Sequence, residues 1–326
     1  MNKKPETSAN QALKDIFFNE KGRLRSGWRF TIFLIVFLFL FPALAAVVGY
    51  IFTNLPIGFD DNSIPAKILE SVIGLFLAVF LGWLFGKYLE GLPFRALGAW
   101  FTRNWLKDLA FGFLIGTGSI ILAVLIAIVF GNYSFEFNNS AGQSAILLTL
   151  GASFIVFVFG AAFEEAFVRG YILQTFIRAR LIFVGIVLTS FLFSSGHLEN
   201  PNINFLSVLN TFLAGIWLGI AYLKTRTLWL AFGIHFAWNW VQGAIFGIEV
   251  SGLTDITTAP LLKEIDTGAK LFSGGDYGIE GGLACTFALI ISTLLIWYLP
   301  ILKPTDEMLA LTSKEIPTDR NSSENI

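Results

Sequence analysis

The chain has 326 residues, 55% of them hydrophobic and only 14% charged, with a mean hydropathy of +0.70, which excludes an ordinary soluble domain. A formal net charge of −1 excludes the basic footprint of a nucleic-acid binder. The single cysteine, Cys285, excludes an internal disulfide, and no phosphate loop, dinucleotide fingerprint or CxxC pair occurs.

A helix needs ~20 apolar residues to cross a bilayer, and eight stretches reach or approach that length. Residues 1–27 read as a loose cytoplasmic arm, basic toward its end at Lys21, Arg23 and Arg25. The apolar run that follows is too long and starts too late for a cleavable signal, so it reads as a retained anchor. Helix one is expected over 28–52, kinked at Pro42. A short acidic loop (54–65) leads to helix two over 66–88. Residues 92–108 mix Trp100, Phe101 and Trp105 with Arg95, Arg103 and Lys107, a composition suited to the membrane interface. Helix three covers 109–130, and 131–142 is a polar turn without Lys or Arg. Helix four starts at Gln143 and can run unbroken to Arg178; at ~1.5 Å per residue it exceeds the membrane and must project or tilt. Helix five spans 181–196, helix six 203–223 and helix seven 228–248. A long glycine-bearing loop (249–282) precedes helix eight (283–302), and a polar tail (303–326) is expected to be disordered.

The expected fold is therefore all-α: a polytopic membrane bundle over 28–302 with about eight transmembrane helices and a buried polar site. With the N-terminus inside, eighteen Lys and Arg fall on inner segments and only Lys67, Lys263 and Lys270 on outer ones, Arg169 being left aside. That bias puts both termini in the cytoplasm of an integral protein of the cell membrane. GxxxG spacings at Gly112/Gly116, Gly215/Gly219 and Gly243/Gly247 allow close helix approach. No internal repeat is visible, which lowers the prospect of a proton-coupled transporter.

The chemistry concentrates in 143–248. Glu164 and Glu165 end a run, 151–163, that carries no charge. A charge at membrane depth costs at least ~2.5–3.5 kcal/mol and marks a functional candidate. Neighbours on a helix point ~100° apart, so the two carboxylates cannot share one target. Arg169 lies four residues after Glu165, the favourable ion-pair order, which leaves Glu164 as the free carboxylate. A helix-packing network of all three is the bland alternative. The only two histidines, His197 and His235, lie in other apolar stretches. Phe193 shares a helical face with His197, and His235 shares one with Asn239, a pair that packing alone can explain. Counted from the inner helix ends, Glu164 lies about 21 Å deep, His197 about 24 Å and His235 only about 12 Å.

EEAFVRG, FSSGH and HFAWN resemble, in order, the EExxxR, FxxxH and HxxxN motifs of the type II CAAX prenyl endopeptidase and bacteriocin-processing family of intramembrane proteases. The resemblance implies an eight-helix protease with catalysis on Glu164, His197, His235 and Asn239, supported by Glu165, Arg169 and Phe193. Peptide hydrolysis needs an activated water and oxyanion stabilisation. Glu164 with His197 suits the first, and His235 with Asn239 the second. No cofactor is required by that scheme. A metal version would use one divalent ion, zinc, on Glu164, His197 and His235; Asn239 beside His235 favours the metal-free one. The implied partners are membrane lipids and a membrane-associated or lipidated peptide, handled in CAAX-type or bacteriocin-type processing. A non-catalytic scaffold or immunity protein is the alternative from another class.

Overall fold

The computed structural model describes residues 8–54, 60, 63–268 and 270–313. All eight expected stretches are helical: α2 (Ser26–Thr53), α3 (Ile64–Glu90), α4 (Trp105–Gly131), α5 (Gln143–Glu165), α7 (Ile182–Ser195), α8 (Phe205–Thr225), α9 (Leu228–Trp240) and α11 (Leu283–Tyr298). Five spans are long and apolar enough to cross a membrane, counting α5 and its continuation to Arg178 as one, while α7 and α11 are shorter apolar helices. The protein is an all-α polytopic membrane bundle.

Several boundaries depart from expectation. Helix four is not uniform: α5 passes into a π turn, Ala166–Ile172, and then α6 (Leu173–Arg178). Helix seven likewise ends as a π turn, Val241–Ile245. The arm expected to be loose holds α1 (Ser8–Phe17) and a bridge between Phe18 and Leu24. The tail expected to be disordered starts with α12 (Asp306–Ser313), tied down where Arg95 pairs with Glu307 at 2.8 Å; residues 314–326, like most of the acidic loop 54–65, lie outside the described residues. The turn 131–142 and the loop 249–282 each supply a strand. β1 (Tyr133–Phe137) and β2 (Leu262–Asp266) pair antiparallel, Tyr133 opposite Asp266, and the loop also carries the one-turn helix α10 (Lys270–Ser273).

Two apolar clusters hold the bundle. One joins α2, α3, α6 and α7 around Phe33, Phe37, Tyr171 and Phe176. The other joins α4, α8, α9 and α11 around Trp217, Leu218, Trp238 and Leu289. Between α4 and α9 the backbones touch: a Cβ at Gly112 would stand 2.5 Å from the Leu230 carbonyl oxygen, and one at Gly233 2.6 Å from that of Leu109. Small residues at both faces are what permit this approach without side chains in the way. The contact fixes α9, and hence His235, against the bundle.

At the end of the bundle where α2 begins and α3 and α6 finish, the positive charges are not all solvated. Arg178 clamps Glu90 with two hydrogen bonds, 2.8 and 2.9 Å, and Arg29 pairs with the same carboxylate at 2.6 Å. Arg178 also donates to Gln174, which in turn donates to the Leu97 carbonyl. All three charged side chains are buried, so the ends of α2, α3 and α6 are tied by a paired, hydrogen-bonded centre, the only affordable way to bury such groups.

Candidate active site

Glu165 is the last residue of α5, and Arg169 lies one turn on inside the π turn. Arg169 Nη1 donates to Glu165 Oε1 at 2.8 Å, and Nη2 donates to the Gly215 carbonyl on α8 at 3.1 Å. The guanidinium also lies over the Phe193 ring, 4.7 Å from its centroid, a cation–π contact. Glu165 and Arg169 are buried. The pair is therefore a crossbar from α5 to α7 and α8.

Glu165 does more than neutralise Arg169. His235 Nδ1 lies 3.0 Å from the same Oε1. That oxygen, already accepting from Arg169, can only accept, so Nδ1 is the donor and carries a proton. The ring's other nitrogen, Nε2, then faces Glu164 Oε2 at 3.9 Å. Glu164 is about a third exposed, and this Oε2 has no hydrogen-bond partner among the described residues. The separation is too long for a direct hydrogen bond.

His197 stands just past α7, its Nδ1 2.8 Å from the Phe193 carbonyl oxygen. That carbonyl can only accept, so here too Nδ1–H is fixed and Nε2 is left for a visitor. The Asn239 side chain makes no hydrogen bond among the described residues. Phe193 ties the two histidines together, with ring centroids 5.0 Å from His197 and 5.7 Å from His235. The structure thus brings Glu164 to His235, where the sequence pairs it with His197. Among the described residues no three His, Cys, Asp or Glu side chains form a metal-holding group.

Two cavities meet at this row. An open cleft of about 1270 Å³, counted out to its mouth, is lined by Glu164, His197, Asn200 and Asn239, by Lys67 and Glu70 of α3 and by apolar groups of α5. A smaller pocket of about 480 Å³, also counted to its mouth, lies inside the bundle and is lined by His197, His235, Asn239, Trp217, Trp238 and Glu280. Phe193, His197, Asn239 and Ser251 border both.

Sequence reasoning missed Glu280 and Ser251. Glu280 Oε1 accepts from Trp238 Nε1 at 2.9 Å, while Oε2 accepts from the Ser251 backbone N–H at 2.6 Å and its hydroxyl at 2.9 Å. Burial first, and then the charge of Glu280, hold the neighbouring Tyr277 phenol up at about 12, so it stays a neutral donor. The available signal was a lone carboxylate in the glycine-rich Gly278-Ile279-Glu280-Gly281-Gly282 immediately before an apolar helix.

No curated protein matches the chain. Residues 143–241, the segment that carries all three motifs, match the family model described as Type II CAAX prenyl endopeptidase Rce1-like.

Proposed function

We propose that the protein is an intramembrane endopeptidase that hydrolyses membrane-associated or lipidated peptides with a water activated by Glu164 and His235. The observation that carries this reading is Glu164 Oε2, without a hydrogen-bond partner, facing His235 Nε2 at 3.9 Å beside an open cleft. A water between them donates one hydrogen to each and turns a lone pair toward the substrate carbonyl. Glu164 takes the proton as oxygen attacks carbon, and passes it to the leaving nitrogen when the C–N bond breaks. Glu165 keeps the His235 ring oriented, as the buried carboxylate does in a hydrolytic triad. The Asn239 amide donates to the tetrahedral oxyanion, and His197 Nε2 accepts a substrate N–H. No metal takes part in this scheme. The site opens within the cell membrane, with both termini cytoplasmic, and the substrates are of CAAX or bacteriocin-type peptide-processing classes.

Reconstitution in liposomes with a membrane-partitioning peptide library tests the reading. Glu164→Gln should abolish cleavage while the protein still folds. Asn239→Ala should slow it ~100- to 1000-fold, the usual cost of one oxyanion donor. Wild-type activity should survive strong chelators; inactivation by chelation with stoichiometric zinc in the purified enzyme would overturn the metal-free scheme. Full activity in Glu164→Gln would overturn the role of Glu164, and absent cleavage by the wild type would leave a non-catalytic scaffold.

A further inference from the structure

The family match ends at residue 241, yet the inner pocket is closed by a residue far beyond it. Glu280 is carried into the bundle by the loop ahead of α11 and fixed there by Ser251 and Trp238. Among the described residues no Lys, Arg or His pairs with it. Glu280 is half-buried and held by neutral donors alone, so its negative charge is left uncompensated and can take a cation from outside. The walls are suited to one. Trp217 and Trp238 meet edge to face with centroids 5.6 Å apart. Their N–H groups are tied to Ser292 and Glu280, both at 2.9 Å, so both rings are held in place in the pocket lining.

We infer that this pocket is a specificity subsite for a cationic side chain, Lys or Arg, of the substrate residue beside the cleaved bond. Glu280 is the charge partner, and Trp217 and Trp238 are cation–π walls. The inference rests on the endopeptidase reading and adds its substrate class. Its position follows from the two cavities: a chain lying in the cleft crosses the row of His197 and Asn239, and a side chain turned inward there enters the pocket. An acidic side chain is repelled by Glu280. An apolar one strips water from the carboxylate and gives nothing back.

The test uses full-length protein in liposomes and peptides that differ only in one residue, lysine or norleucine, scanned across the cleavage site. For the residue beside the bond, lysine should raise kcat/KM about 30-fold over norleucine, the size of a desolvated cation–π and charge contact. Glu280→Gln keeps the side-chain shape and should bring that ratio close to one, and Glu280→Arg should favour glutamate peptides instead. Calorimetric binding of the same peptides to the Glu164→Gln protein gives a readout independent of turnover. Cleavage with no lysine preference would overturn the subsite and leave the protease standing. Absent cleavage, with lysine peptides still bound more tightly than norleucine ones in a Glu280-dependent way, would keep the cation pocket and remove the protease. Equal binding of both peptides would overturn the pocket by itself.

Discussion

Glu165→Gln separates the two adjacent carboxylates most sharply. The substitution preserves shape and leaves one oxygen for either Arg169 or His235, but it removes the charge that both now face at 2.8 and 3.0 Å. Arg169 is fully buried, and its remaining partners are one carbonyl and one ring. Stranding one member of a buried pair costs ~3–5 kcal/mol. At about 2–4 °C per kcal/mol for a larger chain, the melting temperature in detergent should fall by about 6–20 °C. A second effect is chemical. The new amide can turn its NH2 toward His235 Nδ1 and drive the proton to Nε2, the nitrogen facing Glu164. In a hydrolytic triad the corresponding change costs ~10⁴ in kcat. Differential scanning fluorimetry and single-turnover cleavage read the two effects separately. Glu164→Gln, at the open cleft, should lose activity with a melting temperature near wild type. Equal melting of the two variants, or a stable and active Glu165→Gln, would refute the division of roles.

Three further outcomes are expected. For orientation, cysteines placed at exposed Asn139 and Asp276 should react with an impermeant outside reagent and one at Arg103 should not, the native Cys285 being buried and silent; labelling of Arg103→Cys from outside would reverse the orientation. Gly112→Leu, which drives a side chain into the Leu230 backbone, should separate α4 from α9 and cost more than the ~1–3 kcal/mol typical of overpacking; a melting temperature unchanged from wild type would dismiss the close contact. In the β1–β2 pair, burial and then the nearby Glu249 and Asp266 charges push Glu264 up to about 8, despite its hydrogen bond from Tyr133. A folded value above the unfolded one means the carboxyl's contribution is complete below ~4.5 and is lost as pH rises to about 8. Hydrogen exchange in β1, corrected for intrinsic rate, should therefore increase from pH 5 to 8 in wild type and stay flat in Glu264→Gln.

The helices were legible because a spanning helix must satisfy its own backbone in lipid, so an apolar run of the right length has few other options. The β1–β2 pair was not legible: two five-residue strands more than a hundred residues apart leave no local pattern. The charge tally treated Arg29 and Arg178 as loop charges, whereas both are buried against Glu90. A count of cations carries no information about partners, and Glu90 fell just past the expected end of helix two. In the site, the Glu165–Arg169 pairing followed from i, i+4 spacing, but the histidine facing Glu164 did not. The depth count assumed ~1.5 Å per residue from Glu164 to Arg178, whereas seven of those residues form a π turn. A π turn holds more residues per turn and advances less. The counted rise therefore overstates the distance from Glu164 to Arg178, and Glu164 faces His235 at 3.9 Å.

Two buried carboxylates show why chemistry belongs to one centre and not the other. Glu90 is saturated: Arg178 Nε and Arg29 reach Oε2, Arg178 Nη2 reaches Oε1, and Gln174 holds the same arginine from behind. Nothing there is left to accept a proton or a ligand, so the centre can only fasten α2, α3 and α6. The second centre is built from the same residue types but divides its carboxylates. Glu165 takes the guanidinium and the imidazole N–H, and that capture is what leaves Glu164 without a cation at hydrogen-bond distance. A single carboxylate at this depth would have to choose between neutralising Arg169 and facing the cleft. Adjacency solves the conflict, because the ~100° turn between neighbours sends one carboxylate into the bundle and the other to the opening. In the proposed mechanism the EE dipeptide therefore serves the fold and the chemistry together: Glu165 makes the charge of Arg169 tolerable, and Glu164 is left facing the cleft.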